Sequence, residues 1–275
     1  MRLNFPGKSD RLTNTEQKIL EFIEENREEF LFMSIGQVAV QMEVSEATVS
    51  RFARHLGCQD FKELKHVVMQ QNHLEGPVGK LAGTLFGGEN KNDGIKYLSE
   101  QSSYVKKTMD YLTEKELDDA VKEILKAKRV FIHGKNASSS MAQLLLFRIR
   151  RLGIHAHILP SSGTEMLEGL ADVHENDLVV LFSFSKVSKE GKVILEHQRE
   201  AKYRTVVFSS RLHAEKEDLG NVNLFVYRGT EREYHSMTAA VAVIETITLK
   251  LSEQMGADGA RNLQKLYRLK KKYEL

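Results

Sequence analysis

Along the first 70 residues, apolar positions recur at helical spacing and polar residues fill the gaps. Thr13 with Glu16 three residues on is a capping-box pattern, and Ile19, Leu20 and Ile23 then define one inward face. The spacing predicts a single helix carrying Glu21, Glu24, Glu25, Glu28 and Glu29 on its wet side. Ser34 with Gln37 repeats the capping pattern, followed by Ile35, Val38, Ala39 and Met42. Glu43 and Val44 interrupt that helix, Ser45 is a good N-cap, and Val49, Phe52 and Leu56 recur at i, i+3 and i+7 until Gly57 supplies a stop. Two short helices around a tight turn are therefore expected over 34–57. Phe61, Leu64, Val67 and Val68 describe a further helix that should end before Gly76-Pro77.

Residues 77–94 are rich in Gly, Asn and Lys, show no sustained period, and read as a linker. Helical patterning returns over 95–111, and Thr113 with Glu116 caps another helix running to about Ala127. From Arg129 the period changes. Runs such as RVFIHG, HAHILP, DLVVLFS, TVVFSS and NLFVYR alternate with helical stretches over 138–152, 164–171, 188–202 and finally Ser236 to Met255. Wholly apolar strands such as 178–182 imply burial on both faces, so a parallel sheet flanked by helices is expected. The expected domains are 1–76, all-α; 77–94, a linker; 95–256, α/β; and 257–275, a basic tail.

At 275 residues with 41% hydrophobic content the chain is long enough for two cores. No apolar run approaches membrane-spanning length and the opening MRLNFPGKSD has no signal-peptide core, so a cytoplasmic protein without membrane contact is expected. The single cysteine, Cys58, reads as a packing residue. The histidines show no metal-ligand spacing and there is no nucleotide loop, so neither a metal nor a cofactor is expected. Residues 1–75 hold nine Lys plus Arg against twelve Asp plus Glu. An acidic first domain argues against DNA unless the charge is segregated, with Arg51, Arg54, Lys62 and Lys65 grouped around the second helix of the pair. The last fifteen residues hold six Lys plus Arg against one Glu, the pattern of a solvated helical tail or of an extra contact to phosphate or a partner subunit.

Burying Val49, Phe52 and Leu56 leaves Ser45, Ala47, Thr48, Ser50, Arg51 and Arg54 for the outer side of that helix. Short polar or methyl-bearing groups beside an Arg that forks onto guanine are what a recognition helix presents to the major groove. A plain helical hairpin with a charged face would share the amphipathic spacing. The tight turn, the small Ala39 at the crossing and the SEATVSR run at 45–51 resemble bacterial repressor headpieces, except that Glu43 stands where such turns often have Gly.

Ligands of doubly wound sheets sit beyond the carboxyl ends of the strands, which directs attention to the loops after Gly134 and Ser183. The first reads KNASSS, with Asn136, Ser138 and Ser139 at the mouth of a helix; the second offers Ser183, Ser185, Lys186 and Ser188, again leading into a helix. Each alone is consistent with ordinary helix capping, whereas two at adjacent strands suit one anion. Gly134, Ser138 and Ala142 in the first, and Ser183, Ser185, Ser188 and Glu190 in the second, resemble the two phosphosugar loops of the sugar isomerase (SIS) domain. Asn136 and Lys186 stand where those loops usually have Gly.

Taken with the headpiece, the chain from about Leu12 to Met255 resembles the RpiR-type transcription regulators. The resemblance implies an all-α helix-turn-helix domain joined to an α/β SIS domain, and a double-stranded DNA operator as partner. It also implies a phosphorylated sugar or amino sugar as effector, and a homodimer or homotetramer. A phosphosugar isomerase or lyase is the competing class, and would need a base such as Glu165, His174 or Glu190 beside the phosphate site. A third reading is a regulator whose SIS fold is vestigial and only dimerises.

Overall fold

Helices α1 (Asn14–Glu25), α2 (Arg27–Phe32), α3 (Ile35–Gln41), α4 (Glu46–His55), α5 (Phe61–Gln71) and α6 (Gly76–Phe86) follow one another in a computed structural model that describes residues 3–7, 12–71, 76–86 and 94–274. The chain forms two compact units, Met1–Ser99 with Gly229–His235 and Glu100–Arg228 with Ser236–Leu275.

In the first unit the two capping boxes form as the spacing predicts: Thr13 and Glu16 at α1, Ser34 and Gln37 at α3. Ile19, Ile23, Val38, Val49, Phe52, Leu56, Leu64 and Val68 are withdrawn from water into one core, which also takes Cys58. Burial pushes the Cys58 thiol up to about 11, so it stays protonated and acts as packing. Glu43, between α3 and α4, adopts φ 53°, the left-handed region that costs a side chain strain.

Three expectations for this unit need correction. The five glutamates do not share one helix: Asn26, at φ −121° and ψ 41°, separates α1 from α2, so that Phe30 and Leu31 turn into the core and Glu28 and Glu29 sit on α2. The chain does not lose structure at Gly76-Pro77. Pro77 lies in the first turn of α6, where its missing N–H leaves no bond unmade, and Ala82 is buried against the same core. Only 87–93 of the expected linker lies outside the described residues. Lys65, finally, does not join the basic face. It is 9% exposed, with its ammonium 5.2 Å from the Phe61 ring centre and 5.0 Å from that of Phe86.

Burial lowers the Lys65 ammonium to about 8 from the usual lysine range. The unfolded chain therefore holds this proton to higher pH than the folded one, and between about pH 8 and about 10.5 folding stability should rise with pH. Chemical unfolding of the first unit at several pH values should show that rise in the wild type and its loss in Lys65→Met.

The second unit contains α7 (Gly94–Tyr111) from Glu100 onward and α8 (Glu114–Lys126), whose Thr113–Glu116 capping box is also present. Then come β1 (Val130–Gly134), α9 (Ala137–Arg151), β2 (Ala156–Ile158), α10 (Gly163–Ala171), β3 (Leu178–Phe182), α11 (Lys189–Ala201), β4 (Arg204–Ser209), β5 (Val222–Phe225), α12 (Thr238–Met255) and α13 (Ala257–Tyr273). The five strands are parallel in the order β2-β1-β3-β4-β5. One face packs on residues of α8, α9 and α12, including Val121, Leu145 and Ile247; the other packs on α10 and α11 through Met166, Leu170, Ile194 and Leu195. NLFVYR gives a shorter strand than its pattern predicts, because the chain leaves the sheet after Phe225.

Candidate functional site

Helix α4 shows its outer side as the pattern predicts. Ser45, Ala47, Arg51 and Arg54 are exposed, Thr48 and Ser50 half-buried, while Val49, Phe52 and Ala53 face the core. Ser45 Oγ accepts from the Thr48 N–H (3.2 Å) and lies 2.9 Å from Thr48 Oγ1, fixing the start of the helix. Arg51 Nη2 reaches Thr48 Oγ1 at 3.5 Å and Arg54 Nη2 donates to Ser50 Oγ at 3.2 Å. Both guanidiniums therefore lie along one exposed stripe, and the hydroxyls orient them. At the far end His55 Nδ1 sits 3.0 Å from Glu16 Oε1, tying α4 to α1.

In the second unit the strand order reverses between β1 and β3, and the crevice at such a switch point is where open α/β sheets take ligands. Register makes the two loops meet. Gly134 pairs with Phe182, so residues 135–138 and 183–188 leave neighbouring strands at the same level. They enclose a cleft of about 190 Å³ lined by His133, Lys135, Asn136, Ser138, Ser183, Phe184, Ser185, Lys186, Ser188 and Arg228, among others. Helices α9 and α11 both start here, aiming the positive ends of their dipoles at it. Gly134 is needed for space, since a Cβ there would stand 2.7 Å from the Ser138 carbonyl carbon. Asn136 adopts φ 53° and ψ −128°, a backbone conformation that favours glycine.

The serines divide by what they already hold. Ser183 Oγ donates to the Lys186 carbonyl (3.3 Å), Ser188 Oγ caps α11 by accepting from the Gly191 N–H (3.1 Å), and Ser139 Oγ donates to the Asn136 carbonyl (2.7 Å). Ser139 does not line the cleft.

Lys135 and Arg228 escaped the sequence reading. Lys135 Nζ lies 2.6 Å from Glu190 Oε1, and that ammonium, a backbone N–H and the Ser188 hydroxyl hold the Glu190 carboxyl at about 2. Arg228 is 8% exposed, its guanidinium 4.4 Å over the Phe184 ring and its Nε donating to the Ser236 carbonyl (3.1 Å). His133 is buried, and desolvation lowers its affinity for a proton. Ser162 occupies the N-cap position of α10 without a capping bond from its side chain, and neither it, Glu165 nor His174 lines the cleft. His174 lies just ahead of β3, at the opposite end of the sheet, where its N–H donates to Asp177. A wider hollow of about 740 Å³ beside α3 is lined by Glu29 and Glu46 and no cation, the wrong sign for an anion.

Comparison with known proteins accounts for both units. Residues 5–73 match the helix-turn-helix domain of the rpiR family, and residues 123–249 match the SIS domain. The chain carries a helix-turn-helix domain of the rpiR family followed by an SIS domain. An HTH-type transcriptional regulator from Providencia stuartii is 24% identical over 62% of this chain, and the match spans 60% of that relative's own length. One from Caldanaerobacter subterraneus is 22% identical over 93% of this chain and 92% of its own. Two solved structures share the fold. The sugar isomerase domain of an RpiR transcription factor from Sphaerobacter thermophilus aligns with TM-score 0.60 at 16% identity, covering 65% of this chain and 99% of that one. The NanR protein of Vibrio vulnificus, complexed with ManNAc-6P, aligns with TM-score 0.59 at 17% identity over 95% and 94%. Residues 5–73 therefore carry the helix-turn-helix domain, and α3 and α4 lie within it. Among the described residues no helix is long and apolar enough to cross a membrane, and no cluster of His, Cys, Asp or Glu is placed to hold a metal.

Proposed function

We propose that this chain is an rpiR-family regulator that reads a double-stranded DNA operator through α4 and that a phosphorylated sugar held in the β1–β3 cleft tunes that binding. One observation carries the reading: two helix N-termini, two serine-bearing loops, Lys186 and Arg228 converge on one small cleft at the switch point of the sheet. The fold it shares with NanR, solved with ManNAc-6P, supports the same ligand class. At 190 Å³ the cleft is smaller than the roughly 300 Å³ of ordinary small-molecule pockets, so it suits the phosphate end of a sugar whose ring lies at the mouth. Catalysis is disfavoured, because Glu190 stays ionised and locked to Lys135 at neutral pH and is a poor base. The expected setting is the cytoplasm.

Calorimetric titration against a panel of sugar phosphates should give heat with at least one of them and none with the unphosphorylated sugar. The same compound should shift operator binding in a gel-shift titration. Heat from none would leave a vestigial SIS fold as the better account, and turnover of the ligand would revive the isomerase.

A palindromic operator calls for a two-fold dimer, and we place self-association in the second unit. Helices α9, α12 and α13 pack together there and expose Phe147 (51%), Leu249 (70%) and Tyr267 (65%). Light scattering at tens of micromolar should give a dimer or tetramer, and Phe147→Glu with Leu249→Glu should reduce it to monomer. A monomeric wild type would refute the placement.

A further inference from the structure

His133 is a buried polar group that packing does not explain. It is 1% exposed, and among the described residues neither of its ring nitrogens has a hydrogen-bond partner. It follows Phe131 by two positions on β1, so its ring lies on the same face of the sheet, beside Leu181 of β3, where Met166, Val187 and Ile194 make an apolar cover. An apolar side chain would complete that layer. An unpaired imidazole weakens it, and buried polar groups of native proteins almost always find a partner. His133 also lines the cleft, together with Asn136, Ser138 and Ser188 at the starts of α9 and α11.

We propose that His133 is an effector-contacting residue whose ring takes up a proton as the phosphate enters, donating one N–H to a phosphate oxygen and turning the other toward the Pro160 carbonyl. The inference rests on the phosphosugar reading above and adds a proton to it. In the free protein burial lowers the affinity of the ring for a proton below the usual histidine value. Of the charges that face it, Glu190 on α11 favours the proton and Lys135 after β1 opposes it. Lys186 ahead of α11 and Arg228 beyond β5 line the same cleft and oppose it as like charges. The Pro160 carbonyl favours the proton without closing a hydrogen bond. A phosphate monoester brings about −1.5 to −2 charges and strong acceptor oxygens into this setting. A neutral ring with its N–H toward Pro160 would turn a bare lone pair on those oxygens, whereas a protonated ring has a donor for each side.

Isothermal titration of the full chain with a panel of sugar phosphates, glucose 6-phosphate, ribose 5-phosphate and ManNAc-6P among them, tests it when run in buffers of different ionisation enthalpy. At about pH 7.5 such ligands are already dianions, since their second ionisation lies near about 6, so protons taken up on binding go to the protein. Uptake should be plain in the wild type and absent in His133→Gln, which keeps a donor N–H but does not titrate. By linkage the wild-type affinity should fall several-fold from about pH 6.5 to about pH 8, and that of His133→Gln should stay level. His133→Phe completes the apolar layer, so its melting temperature should hold or rise while the best ligand binds at least about tenfold more weakly. Where His133→Gln binds too weakly to titrate, the wild-type proton count decides alone. A wild type that binds with no proton uptake would overturn the proposal and leave the phosphosugar reading standing. So would uptake that persists in His133→Gln, or a His133→Phe protein that binds as the wild type does. If no sugar phosphate binds the wild type at all, the phosphosugar reading falls and takes this one with it.

Discussion

Arg51→Ala is expected to remove sequence-specific operator binding while leaving the headpiece folded. Arg51 is exposed on the stripe of α4 opposite Val49 and Phe52, and its guanidinium makes only a long 3.5 Å approach to Thr48 Oγ1 among the hydrogen bonds of the described residues, so little folding energy depends on it. A bidentate Arg–guanine contact is worth about 1–3 kcal/mol of discrimination, and a two-fold dimer would use it twice. The specific affinity should therefore fall by about two orders of magnitude, with the melting temperature unchanged. Arg54, one turn on, lies farther from the N-terminal end of α4 that a recognition helix points at base edges, and is expected to meet phosphate. Its alanine variant should weaken all sequences about equally and reduce the salt dependence of binding. Gel-shift titration on a selected operator and on random DNA, at two salt concentrations, separates the two. An Arg51→Ala protein with unchanged affinity and unchanged site preference would take Arg51 off the reading surface.

The parts of the fold that were legible in the sequence are those set by local chemistry. Each capping box, at Thr13, Ser34 and Thr113, is a short-range exchange between residues three apart, and each forms. The strands show because a sheet covered on both sides needs unbroken apolar runs. What failed depends on contacts between residues distant along the chain. Glycine-rich residues 76–86 look like a connector until a partner surface for Ala82 exists, and nothing local announces that surface. Lys65 has a charge that reads as solvent-facing; only Phe86, twenty-one residues on, shows that its ammonium lies between two rings.

The cleft divides along the same line. The serine loops are contiguous in sequence and were found there, together with their helix starts. Arg228 enters from beyond the end of β5 and Lys135 reads as an ordinary loop residue, so nothing local announces these cations of the cleft. The hydroxyl inventory shifts as well. Ser183 and Ser188 already make bonds within the protein, which moves the recognition of an anion from side-chain hydroxyls toward helix ends and cations.

Gly134→Ala should have the largest effect on the second unit, because the methyl group has nowhere to go. Its Cβ would lie 2.7 Å from the Ser138 carbonyl carbon and 3.1 Å from the Ser139 nitrogen, and nearer still to the Ser138 oxygen. All of these are backbone atoms of the first turn of α9, so no rotamer change relieves the clash. Either the turn moves or β1 does, and β1 is hydrogen-bonded on both sides, to β2 and β3. The turn moves. Overpacking of this kind costs about 1–3 kcal/mol, and the displacement carries Ser138 and the N-terminal end of α9 away from the cleft. Thermal unfolding of the second unit should fall, and effector binding should be lost beyond the range of titration. Asn136→Gly is the opposite case two residues on. Asn136 sits at φ 53°, where glycine is unstrained, so that change should raise stability by about 1 kcal/mol and leave the helix start in place. If Gly134→Ala bound its effector as the wild type does, with its melting temperature intact, the close passage of α9 over the end of β1 would not be what builds the site.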